Sequence, residues 1–432
     1  FVRAAAYRTR PWVVAHRARQ RRSTSMAEFC TQHNTVHVWT SDPSQPPRGS
    51  TDCSAAPRML TILFAGLATI SSPPSCPAVK VKTDCGYVGI DQGGCEDKGC
   101  CWQPSSSGDP WCFYKETASN CFVLPTAQEA PFSDQEVKSM KDQFLANVGV
   151  QGTGAVVAAP DHNTPGGSYV YHWERDGALT MAALQASKLV DDSQLSKYAS
   201  WVAARQAMPD PHGIDVRTEP KYEIPSGDVF SGAWCRPQND GPGLRALALL
   251  DFAEQKWASK DEQASVYVRA SLWPSIWDSL SYLVGGGWKS STCDLWEEVR
   301  STDFFWNRVT AKKALERGAA FATRVGNSSA AAALGAVADQ IRPSVSAHFD
   351  GYIFEATNRK LDGAVIVGLN NGFDDPSPVF TPGSAMVAHT VAAYNEAFCA
   401  EYPINQADSK ASLPGVLYGR YPGDQYAGGN PW

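Results

Sequence analysis

Six cysteines crowded into residues 76–112 constrain the fold of this chain more than any other feature. Their spacing is C-x8-C-x9-C-x4-C-C-x10-C, from Cys76, Cys85 and Cys95 to Cys100, Cys101 and Cys112. A segment this short cannot bury enough apolar surface to fold alone, so disulfides are expected to replace a core. Six cysteines allow fifteen pairings. A zinc site is disfavoured because the segment holds no histidine and adjacent cysteines suit tetrahedral coordination poorly.

The sequence ahead of these cysteines has two parts. Residues 1–58 carry nine Arg, no Lys and three acidic residues without any apolar period. A basic binding arm is one interpretation, but a disordered, non-native upstream extension is favoured. Residues 59–73 hold the apolar run LTILFAGLATI, which is too short to span a bilayer and is followed by small residues. This pattern indicates a signal peptide, and we expect a secreted, extracellular protein.

Charge and composition limit the partners of the chain. Its 432 residues carry a formal charge of −6, which argues against nucleic acid or an anionic membrane as the main partner. Fourteen tryptophans is a high count for this length. Flat aromatic rings suit the C–H faces of sugars, although most tryptophans in any protein belong to its core.

The remainder of the chain carries helical signals. Residues 116–132 are rich in Thr, Pro and Ala and indicate a linker, and the capping box Ser133–Glu136 follows. Apolar periodicity predicts helices over about 176–190, 193–207, 242–258, 274–284, 310–325, 329–341 and 383–399. Strand-like alternation is confined to short pieces such as 364–368. We therefore predict an all-α domain over 133–432, either a helical bundle or an α/α toroid.

Four polar, aromatic segments separate these helices, in the loops where sites usually lie. They are SYVYHWERDG (168–177), AWCRPQNDGP (233–242), CDLWEEV (293–299) and residues 419–432. Asp176 could merely cap a helix, but with Trp173 and Arg175 it indicates sugar recognition. The carboxylates of CDLWEEV are expected to repel one another and raise the pKa of at least one, as a general acid requires. A solvated acidic turn is the alternative.

Taken in order, these segments are similar to those of the fungal glucoamylases, glycoside hydrolase family fifteen. The motifs YxYxWxRD, WxRPQxDGPxLR and DLWEEV carry the resemblance, with TEPKY at 218–222 and AFATRVG at 320–326. It covers about residues 133–432. It implies an (α/α)6 toroid whose site lies at one mouth and acts on the non-reducing ends of α-1,4-linked glucans. No metal or organic cofactor is implied, because acid and base chemistry by carboxylates needs none.

The resemblance also implies a role for individual residues. Glu297 matches the general acid that protonates the glycosidic oxygen. Matches to substrate-binding positions are Arg175 and Asp176 at the terminal glucose, Arg420 as a second arginine, Trp234 beside the acid, Glu298 at the next sugar, Tyr169 near the attacking water, Trp173 as a subsite wall, and Asp294 and Trp296 next to the acid.

The chain departs from the family pattern at several of these segments. His172 and Glu174 fill positions that are usually Thr, and Gly423 replaces an acidic residue common beside Arg420. Cys235 and Cys293 lie in two segments that are expected to converge on one mouth. We therefore hypothesise a disulfide between them.

The cysteine-rich segment has a resemblance of its own. DCGYVGIDQGGCEDKGCCW and GDPWCFY, within 74–115, resemble the trefoil (P-type) domain. The resemblance implies the pairs Cys76–Cys101, Cys85–Cys100 and Cys95–Cys112 and an aromatic cleft from Trp102, Trp111 and Tyr114. Lys82 stands where many trefoils have Arg. Trefoils either bind glycans or pack against a hydrolase, and packing is the favoured interpretation here.

An inverting glycosidase also needs a base, whose carboxyl lies about 6.5–9.5 Å from that of the acid. The resemblance places this base in a loop far downstream, and no carboxylate of 133–432 matches it. We therefore expect an incomplete toroid, with the 432-residue chain inactive and poorly soluble and the full gene product active. The alternative function is a non-catalytic glycan-binding protein built on the trefoil and an inactive barrel. DLWEEV and WxRPQxDGP disfavour a trehalase-like enzyme.

Overall fold

The computed structural model describes residues 90–97, 100–105, 110–113, 121, 132–163, 167–372, 374–413 and 415–425. The extension expected at 1–58 and the signal peptide expected at 59–73 lie outside the described residues. So does the predicted linker, apart from residues 121 and 132.

The described part of the cysteine-rich segment contains one short helix and one small hairpin. Helix α1 spans Gln92–Asp97, and strands β1 (Cys101–Trp102) and β2 (Cys112–Phe113) pair antiparallel. The implied Cys95–Cys112 disulfide is present, and Cys100 and Cys101 are also disulfide-bonded. Trp102 and Trp111 meet edge to face with ring centroids 5.8 Å apart. The other implied partners, Cys76 and Cys85, lie outside the described residues, as do Lys82 and Tyr114.

The rest of the described chain is helical, as predicted. Its helices are α2 (Asp134–Leu145), α3 (Glu174–Ala186), α4 (Asp192–Gln206), α5 (Asp240–Ala258), α6 (Glu262–Tyr267), α7 (Trp273–Val284), α8 (Phe305–Arg324), α9 (Ser328–Ser346), α10 (Ala364–Asn371), α11 (Ala385–Glu401) and α12 (Pro403–Lys410). Ser133 caps α2 through the predicted capping box. No helix of the described ranges is long and apolar enough to cross a bilayer.

Helices α5 and α8 form the centre of the packed core. The first half of α5 is buried on all sides, and its charged side chains, Asp240 and Arg245, are ion-paired. Small residues allow close contact between helices. A Cβ on Gly243 would lie 3.2 Å from Thr310 Cγ2, and one on Gly318 would lie 2.4 Å from Leu280 Cδ1. These two glycines therefore allow α5 to pack closely against α8, and α8 against α7.

Two short antiparallel strand pairs hold the predicted site segments against this core. Strand β3 (His172–Trp173) pairs with β4 (Lys221–Tyr222) and leads directly into α3. Strand β5 (Thr292–Cys293) pairs with β6 (Arg300–Ser301), and the motif DLWEEV forms the turn between them. The first and third site segments are therefore fixed by backbone pairing.

One secondary-structure prediction is wrong. Residues 364–368, read as strand-like alternation, form the beginning of helix α10. Ala364, Val365 and Gly368 are the buried positions, which is a helical spacing. A Cβ on Gly368 would lie 3.0 Å from a ring carbon of Phe305 on α8. Packing against α8 therefore decides the conformation of this β-branched run.

A disulfide that no sequence pattern predicted joins the linker to the helical domain. Cys121 is 1% exposed and is bonded to Cys399 of α11, across a sequence separation of 278 residues. The predicted linker is therefore anchored to α11 at Cys121.

Candidate active site

The turn between β5 and β6, residues 294–299, is called the acid loop here. Asp294 organises it: its Oδ1 accepts hydrogen bonds from the backbone N–H groups of Glu298 at 2.7 Å and Val299 at 3.0 Å. Glu297 lies at its tip with φ 65°, in the left-handed region. That conformation costs about 1–2 kcal/mol for a residue with a Cβ. Such strain persists where the surroundings enforce it, commonly at functional sites.

Arg175 orients the Glu297 carboxylate. Arg175 Nη2 donates to Glu297 Oε1 at 3.1 Å, while its Nη1 donates to Asp240 Oδ2 at 2.7 Å and Gln238 Oε1 at 2.9 Å. The Glu297 side chain is only 4% exposed. Burial by itself would lower the pKa of Arg175, but the charges of Asp240, Glu297 and Asp176 raise it above its ordinary value. The guanidinium therefore stays charged.

The three carboxylates of the acid loop do not face one another unpaired. Glu297 has Arg175, Asp294 receives Arg359 Nη1 at 2.8 Å, and Glu298 receives Arg420 Nη1 at 2.5 Å. The expected mutual repulsion is thus offset by a separate guanidinium at each carboxylate. The alternative of a solvated acidic turn is wrong, because Asp294 is 2% exposed.

Aromatic rings from the first two segments pack into one wall. Tyr169 stacks on Trp173 with centroids 5.6 Å apart, and Trp173 meets Trp234 edge to face at 5.6 Å. The ammonium of Lys221, in the TEPKY motif, lies 3.8 Å from the centroid of Trp234 and 4.4 Å from that of Trp173. These are cation–π distances, and they hold the two indoles in one orientation.

The hypothesised Cys235–Cys293 disulfide is present, with Cα atoms 6.0 Å apart. It joins the segment that carries Trp234 to the strand that precedes the acid loop. The aromatic wall and the general-acid candidate are thereby fixed relative to each other.

The fourth segment, together with the two residues before it, forms the clamp loop, defined as residues 417–424. Arg420 makes a bidentate ion pair with Asp424, Nε to Oδ2 at 2.7 Å and Nη2 to Oδ1 at 2.5 Å. Tyr421 donates its hydroxyl to Glu298 Oε2 at 2.6 Å. Asp424 therefore provides an acidic partner for Arg420 although position 423 is Gly. Residues 426–432 of this segment lie outside the described residues.

The remaining predicted site residues lie around the Arg175–Glu297 ion pair rather than in it. Asp176 lies partly exposed in the first turn of α3, and its charge contributes to the raised pKa of Arg175. Trp296 is 4% exposed, and its indole N–H donates to Asp362 Oδ1 at 2.7 Å. The unusual His172 and Glu174 are buried rather than substrate-facing, and Glu174 pairs with Arg245 at 3.1 Å.

Several residues of this network were not predicted from the sequence. Trp306 donates its indole N–H to Asp240 Oδ2 at 2.8 Å, which fixes the carboxylate that holds Arg175. Burial raises the pKa of Asp362 to about 7, and it raises that of the neighbouring Glu355 well above the usual range. Asp240 could have been found, because it belongs to the WxRPQxDGP motif. Trp306 and Asp362 stand in no motif that the resemblance covers.

A buried carboxylate that an arginine binds on a strained turn, beside an aromatic wall and a second arginine, is compatible with acid chemistry on a sugar. Family comparisons point the same way. The model for Glycosyl hydrolases family 15 matches residues 139–432, and that for the Trefoil (P-type) domain matches residues 76–115. The chain belongs to glycosyl hydrolase family 15 and carries a trefoil domain.

Similar proteins are glucoamylases by name. Glucoamylase 1 of Rhizopus oryzae is 31% identical over 67% of this chain and 50% of its own length. Glucoamylase-1 of Schizophyllum commune is 33% identical over 67% of this chain and 52% of its own. The chain therefore spans about half the length of these relatives.

The solved structures agree on the fold. The glucoamylase of Hormoconis resinae matches with a TM-score of 0.58 at 30% identity, over 69% of this chain and 53% of that one. The Hypocrea jecorina enzyme matches with a TM-score of 0.59 at 28% identity, over 69% and 54%. The helical domain has the (α/α)6 fold of these proteins over the part that the chain spans.

Proposed function

We propose that the chain forms the substrate-binding and general-acid part of a glucan 1,4-α-glucosidase, which releases glucose from the non-reducing ends of starch-type glucans. The observation that carries the proposal is the setting of Glu297. Its carboxylate is 4% exposed, it stands on a left-handed turn, and Arg175 binds it at 3.1 Å. Enforced backbone strain is common at functional sites, and a general acid must be held in position relative to the bond that it cleaves.

In this proposal each part of the site has one task. Glu297 gives its proton to the glycosidic oxygen. Arg175 and Arg420 present rigid guanidinium forks, and Asp176 a carboxylate, to the hydroxyls of the terminal glucose. Tyr169, Trp173 and Trp234 form the wall against which apolar sugar faces pack. Asp294 holds the acid loop, and Glu298 binds the next sugar.

The base that activates water is not assigned among residues 133–432. An inverting reaction would give β-glucose as its first product, because water attacks the face opposite the leaving group. We propose that hydrolysis at this site inverts the anomeric configuration. An α-anomer seen by NMR as the first product of glucan hydrolysis would overturn that mechanism.

Calorimetric titration of the purified chain with maltotetraose tests the binding site. We expect binding that trehalose does not displace and that Arg420→Ala weakens at least tenfold, because the variant loses a charge-assisted donor. Arg324→Ala is the matched control, since that side chain is 52% exposed and its ion pair with Glu254 spans 3.5 Å. Equal binding by both variants, or no binding by the unmodified chain, would contradict the proposal.

Two further parts of the proposal concern the trefoil and the compartment. Trp111 is 48% exposed beside Trp102, which supports a glycan contact by the trefoil. We expect Trp111→Ala to weaken adsorption to starch granules while leaving maltotetraose binding unchanged.

Disulfides at Cys95–Cys112, Cys121–Cys399 and Cys235–Cys293 suit an oxidising compartment and support secretion. N-terminal sequencing of protein from the culture medium tests this, with a start close to residue 74 expected.

A further inference from the structure

Residues 359–363, called the bridge segment here, contact both the acid loop and the clamp loop. Arg359 occupies the first of these positions. Its Nη1 lies 2.8 Å from Asp294 Oδ2 and its Nη2 lies 3.3 Å from Glu298 Oε2. On its other side the guanidinium lies 4.1 Å from the ring centroid of Tyr421. One side chain therefore contacts both loops.

Asp362 is the second contact of the bridge segment with the acid loop. Its Oδ1 accepts the indole N–H of Trp296 at 2.7 Å and the backbone N–H of Ala364 at 2.8 Å. Its backbone is held by Tyr394, whose hydroxyl accepts from Asp362 N at 2.9 Å and donates to Asp362 O at 2.8 Å. The residue is fully buried. Because Trp296 directly precedes Glu297, a rigidly held carboxylate fixes the neighbour of the acid.

Gly363 is the contact of the bridge segment with the clamp loop. Its N–H donates to the carbonyl oxygen of Arg420 at 2.6 Å. A Cβ at this position would lie 2.7 Å from the carbonyl oxygen of Gly419, so only glycine permits the approach. The Arg420 guanidinium in turn lies 5.7 Å from the Trp296 ring centroid.

We propose that the bridge segment sets the position of the general acid relative to the arginine clamp, with Arg359 and Asp362 as positioning residues. Neither residue needs to touch substrate. Arg359 neutralises two carboxylates of the acid loop while it stacks on the clamp loop. Asp362 holds the indole next to the acid. The catalytic consequence rests on the proposed function, but the coupling between the two loops can be measured without any glucan.

The charges around Asp362 make the coupling sensitive to pH. The groups that face it are Arg359, Asp294, Glu355 and Tyr394. Burial is the main cause of its raised pKa, and the charge of Asp294 adds to it, while the hydrogen bonds from Ala364 and Trp296 and the charge of Arg359 oppose it. When the carboxyl takes up a proton, the acceptor of the Trp296 indole loses its charge, and its hydrogen bond weakens.

The indole N–H signals of Trp296 and Trp306 in ¹H–¹⁵N spectra test the coupling. Both donate to a buried carboxylate, Trp296 to Asp362 and Trp306 to Asp240, so each serves as the control for the other. We expect the Trp296 signal to titrate between pH 5 and 8. Asp362→Asn should abolish that titration while shifting the Trp306 signal much less. A Trp296 signal that is insensitive to pH and to Asp362→Asn would overturn the role of Asp362, as would equal shifts of both indoles.

Arg359 is tested by rescue, which also serves if Asp362→Asn fails to fold. We expect Arg359→Gln to weaken maltotetraose binding about tenfold and to shift the Trp296 signal. Arg359→Lys keeps the charge and should restore part of both. The role of Arg359 would be overturned if Arg359→Gln and Arg359→Lys changed maltotetraose binding and the Trp296 signal equally, or if neither variant changed them. If the unmodified chain binds no maltotetraose, the proposed function fails, while the indole shifts still decide the coupling.

Discussion

The sequence around Glu297 predicts its identity as the acid candidate but does not predict its orientation. The DLWEEV motif was sufficient to predict it as the acid candidate. The left-handed φ of 65° and the 3.1 Å contact with Arg175 were not predictable, because Arg175 is 122 positions away in the chain. The motif thus predicts which carboxylate is the acid candidate, whereas the orientation of that carboxylate depends on a distant arginine.

Gly177, at the beginning of α3, allows the unusual His172 to be buried. A Cβ at Gly177 would lie 2.3 Å from His172 Cε1, so we expect Gly177→Ala to lower the free energy of unfolding by about 1–3 kcal/mol. Gly335→Ala in α9 is the matched control. It meets nothing within 4 Å and should raise stability by about 0.5–1 kcal/mol. Urea unfolding measures both, and equal effects would contradict the steric explanation.

His172 should also make stability depend on pH. Burial lowers its pKa below the ordinary value, and the ring accepts a hydrogen bond from the Val156 N–H at 3.1 Å. The unfolded chain takes up a proton below about pH 6.5 while the folded state resists it, so stability falls as the pH drops below that value. We expect His172→Gln to reduce this loss, measured as urea midpoints at pH 5 and 7.5.

The prediction for His172 has a matched control, and other buried histidines should contribute to the acid sensitivity as well. His162 is exposed, so His162→Gln should leave the pH dependence unchanged. Burial also lowers the pKa of His348 and His389, which should leave part of the acid sensitivity in the His172 variant. If the unmodified protein, His172→Gln and His162→Gln lose the same amount of stability in acid, a role for His172 is contradicted.

At the scale of elements, the site depends on two short strand pairs, β3–β4 and β5–β6, and on the Cys235–Cys293 disulfide. The seven helices predicted between 176 and 399 are present, because apolar periodicity is local. Helix α6 was not predicted, and the α10 residues were read as strand-like, because an AVIVG run suits a strand or a buried helix equally until α8 packs against it. The Cys235–Cys293 hypothesis is confirmed, since two segments that serve one site must meet in space.

Removing that disulfide should loosen the contact between the aromatic wall and the acid loop. The Cys235→Ser, Cys293→Ser double variant opens a loop of 58 residues, for which the chain-entropy description gives a loss of about 4 kcal/mol. We expect a lower unfolding midpoint and weaker maltotetraose binding, measured by calorimetry. A variant with unchanged stability would show that the surrounding packing alone joins the two segments.

At the scale of the molecule, Cys121 is the covalent link between the linker and α11. The end of α11 packs against the clamp loop: Glu401 Oε1 accepts from Gly423 N at 3.0 Å, and the rings of Phe398 and Tyr418 lie 5.3 Å apart. The chain that leaves the trefoil is therefore anchored close to Arg420. No sequence pattern predicted this, because a single cysteine in a linker has no obvious partner.

Proteolysis tests the anchor. With a protease site introduced at residues 124–130, the cut chain should run as one species under non-reducing conditions and as two after reduction. The reason is that Cys121–Cys399 joins the two fragments. Cys399→Ser is the control and should release the N-terminal fragment without reductant. If the cleaved protein that retains Cys399 runs as two fragments before reduction, the anchor is contradicted.

Local sequence patterns predict the family, the trefoil, most of the helices and the acid candidate. Each depends on residues that are near one another in the chain, where spacing and residue type are sufficient. Tertiary packing settles which charges meet. Arg359 reaches Asp294 across 65 positions, Asp362 reaches Trp296 across 66, and Cys121 reaches Cys399 across 278. Such contacts leave no local periodicity, because they arise only when separate helices pack and bring their loops to one end of the domain.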